Sequence, residues 1–241
     1  MPTGVIINAL SIALGGLLGV FVGGRLTRDF KEKTNMVFGC CSMGMGIASI
    51  PAMENMPAVI FSVVVGTMLG LALHLGERIN RAAAGMQRAA ARVIKSRQAA
   101  SEGATAELVT VIVLFCASST GIYGSIVSGM TGDHSILIAK SVLDFFTALV
   151  FGCSLGVVVS LVAAPQFVIF SLLFLCAGLI YPATTPAMIH DFKALGGFIM
   201  LATGFRMIKV KEFPTADMIP GMVLVMPLSW LWGNILLPWV S

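Results

Sequence analysis

Apolar residues run through this chain in long blocks, and polar residues are confined largely to the gaps between them. A helix needs roughly 17 to 25 apolar residues to cross about 30 Å of hydrocarbon. Blocks of that kind predict helices near 5–23, 35–50, 57–75, 107–128, 136–160, 165–182, 187–208 and 216–239. Pro57, Pro165, Pro182, Pro186 and Pro214 mark several of their ends, because proline cannot continue a helical ladder. The pattern is that of an all-α polytopic membrane protein with about eight spans, forming one transmembrane domain over 1–241.

Basic residues orient the spans, since cytoplasmic loops are enriched in Lys and Arg. The first loop holds Arg25, Arg28, Lys31 and Lys33, the third Arg78, Arg81, Arg88, Arg92, Lys95 and Arg97, and the seventh Arg206, Lys209 and Lys211. Only Lys193 and Lys140 of the 15 Lys and Arg residues fall elsewhere. An eight-span chain with both termini extracytoplasmic satisfies this separation. No basic residue precedes the first block and four follow it, so that block reads as a retained helix and not a cleaved leader.

The third loop, residues 77–106, is rich in Ala and Arg, and Ile79, Ala83, Met86, Ala90 and Val93 recur at helical spacing. It predicts an amphipathic helix lying on anionic headgroups or against a helical partner, a second copy of the chain included.

Three blocks carry G-x-x-L-G, at Gly15 and Gly19, Gly66 and Gly70, and Gly152 and Gly156. Glycines at i and i+4 let two backbones approach closely where lipid supplies no hydrophobic drive between helices, so these are expected to be packing seams. Phe38 to Gly44 and Phe115 to Gly121 share the spacing F-x5-G ahead of two of them, so that spans two and three resemble spans four and five as an internal repeat. Phe198 and Gly204 repeat the spacing in span seven. Duplicated helical units are common in transporters, with sites near the midplane.

Composition narrows the function classes. With 57% hydrophobic and 11% charged residues among 241, no room remains for a separate soluble domain. His74, His134 and His190 stand apart, without catalytic motifs or clustered carboxylates, which argues against an enzyme and implies no metal or cofactor. Cys40, Cys41, Cys116, Cys153 and Cys176 lie in apolar runs without ligand spacing and read as small packing residues. The basic residues follow topology, not a nucleic-acid recognition motif.

The polar positions inside the blocks are therefore the informative ones. Lys140 and Asp144 lie one turn apart in span five, flanked by Ser141 and Thr147. At 1.5 Å per residue Asp144 lies roughly 12 Å in from the outer end of its span, too deep to reach the interface, whereas Lys140 is shallow enough to snorkel. An ionisable group at that depth needs a partner or water. Two readings stand: a solute or ion site, or an ion pair that fixes helix rotation. A second candidate is the proline-broken stretch holding Thr184 and Thr185, followed by His190, Asp191 and Lys193. Ser118, Ser119 and Thr120 form a hydroxyl cluster in span four.

The stretches Leu114–Ile126, Met130–Ala148 and Pro182–Met188, with Asp191-Phe192 and Gly196–Gly204 after them, closely resemble the YqgA-like bacterial inner-membrane proteins. The resemblance covers essentially the whole chain. It implies a transporter-like helical bundle in a family classed as a domain of unknown function, and supplies no catalytic or binding residues. Function is thus left between a small-solute or ion transporter with a midplane site at Asp144 and a structural or regulatory homo-oligomer.

Overall fold

The computed structural model describes residues 1–22, 27–93, 108, 111–116 and 118–240, without the side chains at 28, 31, 35, 83, 86–93, 119, 239 and 240. Arg25, Lys95, Arg97 and positions 94–106 of the expected loop helix lie outside the described residues, as does the Ser119 side chain.

Every regular element among the described residues is helical. They are α1 (Thr3–Val22), α2 (Arg28–Ser49), α3 (Met56–Ala72), α4 (Leu75–Val93), α5 (Ser119–Thr131), α6 (Ser135–Leu155), α7 (Val158–Leu161), α8 (Ala163–Ile180), α9 (Pro186–Met207), α10 (Ile219–Leu231) and α11 (Leu237–Val240). Residues 111–116 are also helical. Six described helices are long and apolar enough to cross a membrane, or up to seven if α3 and the start of α4, bent by 59°, make one broken span. The segment expected as span seven is the 22-residue α9, which carries Asp191, Lys193 and Arg206 and is not among them.

Local chemistry sets the helix ends. Ser118 caps α5 by accepting from the Gly121 N–H at 3.2 Å, and Thr185 caps α9 by accepting from the Met188 N–H at 3.3 Å. Pro186 occupies the first turn of α9 and Pro57 that of α3, where a missing N–H is no loss. Gly156 ends α6 at φ 76°, so the block expected over 136–160 is a helix followed by a turn. Pro227 interrupts α10, and residues Trp232–Leu236 continue it as a π-turn.

The chain divides into two compact units. The first comprises Met1–Asn35 and Glu77–Gly178. Here α1 lies along α6 with backbones in contact: a Cβ on Gly15 would overlap the Phe145 carbonyl, and one on Gly19 the Leu149 carbonyl. Gly152 answers from α6 against the Gly16 carbonyl. Beside this seam Ile12, Val111, Phe115, Ala148, Val159 and Val162 form a core, and Val5, Leu137 and Phe170 a smaller one. Gly156, expected in the seam, has nothing within 4 Å of a built Cβ and acts as the helix stop instead.

The second unit comprises Met36–Gly76 and Leu179–Ser241. Gly66 meets the Gly221 backbone and Gly70 that of Asp217, which brings α3 against α10. Gly39 and Gly46 meet the carbonyls of Gly204 and Gly197, which seats α2 on α9. The α3–α4 bend passes through His74 at φ 50°, and the Asp217 carboxylate accepts from the Gly76 N–H at 2.9 Å, capping the first turn of α4. Outward faces of both units carry large apolar residues, such as Leu10, Leu172, Leu175, Val64, Met68 and Val223, as a lipid boundary requires.

These contacts separate two kinds of glycine. Gly15→Ala is expected to lower stability by about 1–3 kcal/mol, because backbone must move to admit the methyl group. Gly44→Ala, at a mid-helix position of α2 with nothing within 4 Å, is expected to gain roughly 0.5–1 kcal/mol. Melting of both purified variants in one detergent checks the contrast; equal effects would refute the seam.

Candidate functional site

Each unit buries a carboxylate among apolar helices. In the first, Asp144 on α6 is 5% exposed and Lys140, one turn earlier, 4%. The Lys140 ammonium donates to both Asp144 oxygens, each at 2.7 Å. The lysine turns to its carboxylate, and Gly121 on α5 leaves room for its stem, where a Cβ would come within 2.9 Å of Cε.

Two carboxamides complete the cluster. Asn8 on α1 donates from Nδ2 to Asp144 Oδ2 at 2.8 Å, and Gln166 on α8 donates from Nε2 to Asn8 Oδ1 at 2.7 Å. Both are fully buried. Asp144 dictates the direction of this chain. A carboxylate paired with an ammonium accepts only, so Asn8 turns its amide hydrogens toward it and its oxygen toward Gln166. Gln166 must then donate, and its own Oε1 is buried without a hydrogen-bond partner among the described residues. Cys116 lies within electrostatic range of Lys140 and Asp144. Ser141 and Thr147 are buried beside the pair, and the Ser141 hydroxyl donates to the Leu137 carbonyl of its own helix at 2.6 Å.

In the second unit Asp191 on α9 is fully buried. Its Oδ1 accepts from the backbone N–H groups of Glu54 at 2.8 Å and Asn55 at 2.9 Å, and its Oδ2 from Asn55 Nδ2 at 2.9 Å and Ser229 Oγ at 2.6 Å. Four donors occupy the carboxylate, and two of them are the backbone at the entry to α3. Asp191 is thus a clasp for the turn between α2 and α3. His190 Nδ1 meets Glu54 Oε1 on the half-exposed side of the same turn.

The predicted polar positions therefore separate. Lys140 and Asp144 sit together in the first unit, where Ser118 serves as the α5 cap. Thr184 is half-buried, its hydroxyl bonded to the Tyr181 carbonyl at 2.7 Å, and Thr185 caps α9. Among the described residues no group of three or more His, Cys, Asp or Glu is placed to hold a metal ion. A cleft of about 470 Å³ between α3 and α10, lined by Phe61, Val65, Leu69, Leu224 and Trp230 among others, is wholly apolar.

The family described as "Protein of unknown function (DUF554)" matches residues 3–230. The chain belongs to the DUF554 family. It is 43% identical over 232 residues to the uncharacterized protein YqgA of Escherichia coli (strain K12), covering 96% of this chain and 98% of that one. It is 23% identical over 225 residues to the uncharacterized membrane protein YdfK of Bacillus subtilis (strain 168), covering 92% and 93% respectively. No solved structure matches the chain. The resemblance read from the sequence leads to this family, and the all-helical membrane architecture agrees with the name of the Bacillus relative.

In this DUF554 protein the residues that complete the first cluster, Asn8 and Gln166, escaped the sequence reading, as did Asn55 and Ser229 in the second. A signal existed for two of them. Asn8 is the one strongly polar residue inside its apolar block and Gln166 the one inside its own, and a lone polar side chain at membrane depth calls for a partner on another helix.

Proposed function

We propose that the chain carries a small solute or ion across a bacterial inner membrane through the cluster around Asp144. The supporting observation is the open Gln166 Oε1. A network serving assembly alone gains most when every member is satisfied, whereas this one brings a carboxylate, an ammonium and two carboxamides into an apolar bundle and leaves an acceptor unmet. The clasp at Asp191 and the caps at Ser118, Thr184 and Thr185 are not needed for this reading. An internal duplication, with Gly66 and Gly152 each against a partner backbone, fits it. So do extracytoplasmic termini, with α4 resting on anionic headgroups of the opposite leaflet.

Purified protein in liposomes is expected to pass one of a panel of small ions and solutes, and Asp144→Asn to abolish that flux. A variant that melts like the parent yet shows the same flux would remove Asp144 from the role. Where Asp144→Asn alone fails to fold, the double variant Asp144→Asn with Lys140→Met serves, since it removes both charges. A second reading, a non-transporting homo-oligomer, has one observation in its favour: both Asp144 oxygens are already held by Lys140. It expects no flux from any variant.

A further inference from the structure

The cluster itself indicates what it would carry. Its carboxylate holds a primary ammonium, with both oxygens at 2.7 Å from one nitrogen. On α6 Asp144 is the charged group facing Lys140; Asn8 on α1 bonds that carboxylate, Gln166 on α8 bonds Asn8, and Gly121 on α5 lies against the Lys140 stem. This is a receptor for an alkylammonium group whose occupant belongs to the protein. Gln166 Oε1, fully buried at the end of the carboxamide chain, has no donor among the described residues.

Charge limits how a ligand can enter. The pair is neutral and nearly sealed, and an additional unpaired cation there costs several kcal/mol. A cationic ligand can take the carboxylate only if one positive charge leaves. Lys140 is tethered, so what leaves is its proton.

We propose that the ligand of this cluster is ammonium or a small protonated primary amine, bound on Asp144 in place of the Lys140 ammonium, with one proton released from Lys140 for each ligand bound. The exchange balances: R–NH3+ enters, Lys140 passes from –NH3+ to –NH2, H+ goes to water, and the site keeps its charge. The displaced lysine amine then accepts a hydrogen bond from one of the ligand's N–H groups. A cation without N–H donors cannot supply it, which separates an amine from an alkali metal or a quaternary ion. The inference rests on the transport reading for the ligand's passage across the membrane, but not for its binding.

The test therefore uses no membrane. Purified protein in weakly buffered detergent solution near neutral pH is titrated with methylammonium chloride while a pH indicator reports released protons. Saturable release approaching one proton per chain is expected, with none from sodium chloride or tetramethylammonium chloride. The double variant Asp144→Asn with Lys140→Met is expected to release nothing. No release from the parent protein, equal release with sodium, or undiminished release from the double variant overturns the proposal. Release without flux in liposomes would leave the amine site standing and remove the transport reading; flux of an amine without release would do the reverse.

Discussion

Asp144→Ala is expected to destabilise the protein by about 3–5 kcal/mol, the range found when one partner of a buried ion pair is removed. The physical cause is less the lost attraction than what stays behind, a Lys140 ammonium that is 4% exposed and has lost the acceptor for both its bonds. Asn8 loses the acceptor for its Nδ2 as well, so the carboxamide chain to Gln166 loses its anchor. Lys140→Met is expected to be similarly harmful in the opposite sense, leaving a bare carboxylate. Combining Asp144→Asn with Lys140→Met removes both charges while keeping a side-chain oxygen for Asn8, and most of the loss should be recovered. Chemical denaturation of Asp144→Asn, Lys140→Met and their combination in one detergent gives the coupling energy; additive losses would mean that the two charges do not depend on each other. Raised sodium chloride should leave the coupling between the two charges unchanged, because a buried pair is screened little. The exposed Lys33–Asp29 pair, at 73% and 71% side-chain exposure, has the same helical spacing, and its removal should go unnoticed.

The second large effect is expected at Asp191. Asp191→Ala withdraws the acceptor from four donors at once, two of them backbone N–H groups at the start of α3. Leaving buried or half-buried donors unmet costs about 1–3 kcal/mol each where water cannot replace the acceptor. A combined loss of roughly 3–5 kcal/mol is expected, because the half-exposed edge of the turn admits some water. Asp191→Asn should lose about half as much: its oxygen can keep the two backbone bonds, while its amide nitrogen faces the Asn55 and Ser229 donors. Hydrogen exchange should show the change at Glu54 and Asn55 first. If those two amides exchange in Asp191→Ala as slowly as in the parent, the clasp is wrong. A transport role for Asp191 would instead predict altered flux in the Asn variant with those amides still protected.

Much of the fold was legible because a bilayer imposes a length on every apolar block. The blocks at 5–23, 57–75 and 187–208 match α1, α3 and α9 to within a few residues, and the prolines near their ends fall in first turns. The spacing of Gly15 and Gly19 also carried its meaning, since only a close partner backbone explains two bare positions one turn apart. Gly156 misled because the same letter serves a helix stop, and φ is not written in a spacing. The pairing of Lys140 with Asp144 was readable for an equally local reason: residues four apart on a helix meet.

What the sequence determined by itself is therefore local or set by the solvent: an all-helical membrane chain, the approximate helix ends, the bare seams, and one internal ion pair. What only the tertiary structure decided is which distant polar residues complete each carboxylate. Asn8 and Asp144 are 136 positions apart, Asn55 and Asp191 also 136, and Gln166 reaches Asn8 across 158. No periodicity encodes such meetings, since they follow from which helix packs on which. The direction of the carboxamide chain, and with it the open acceptor on Gln166, exists only once α1, α6 and α8 have been brought together.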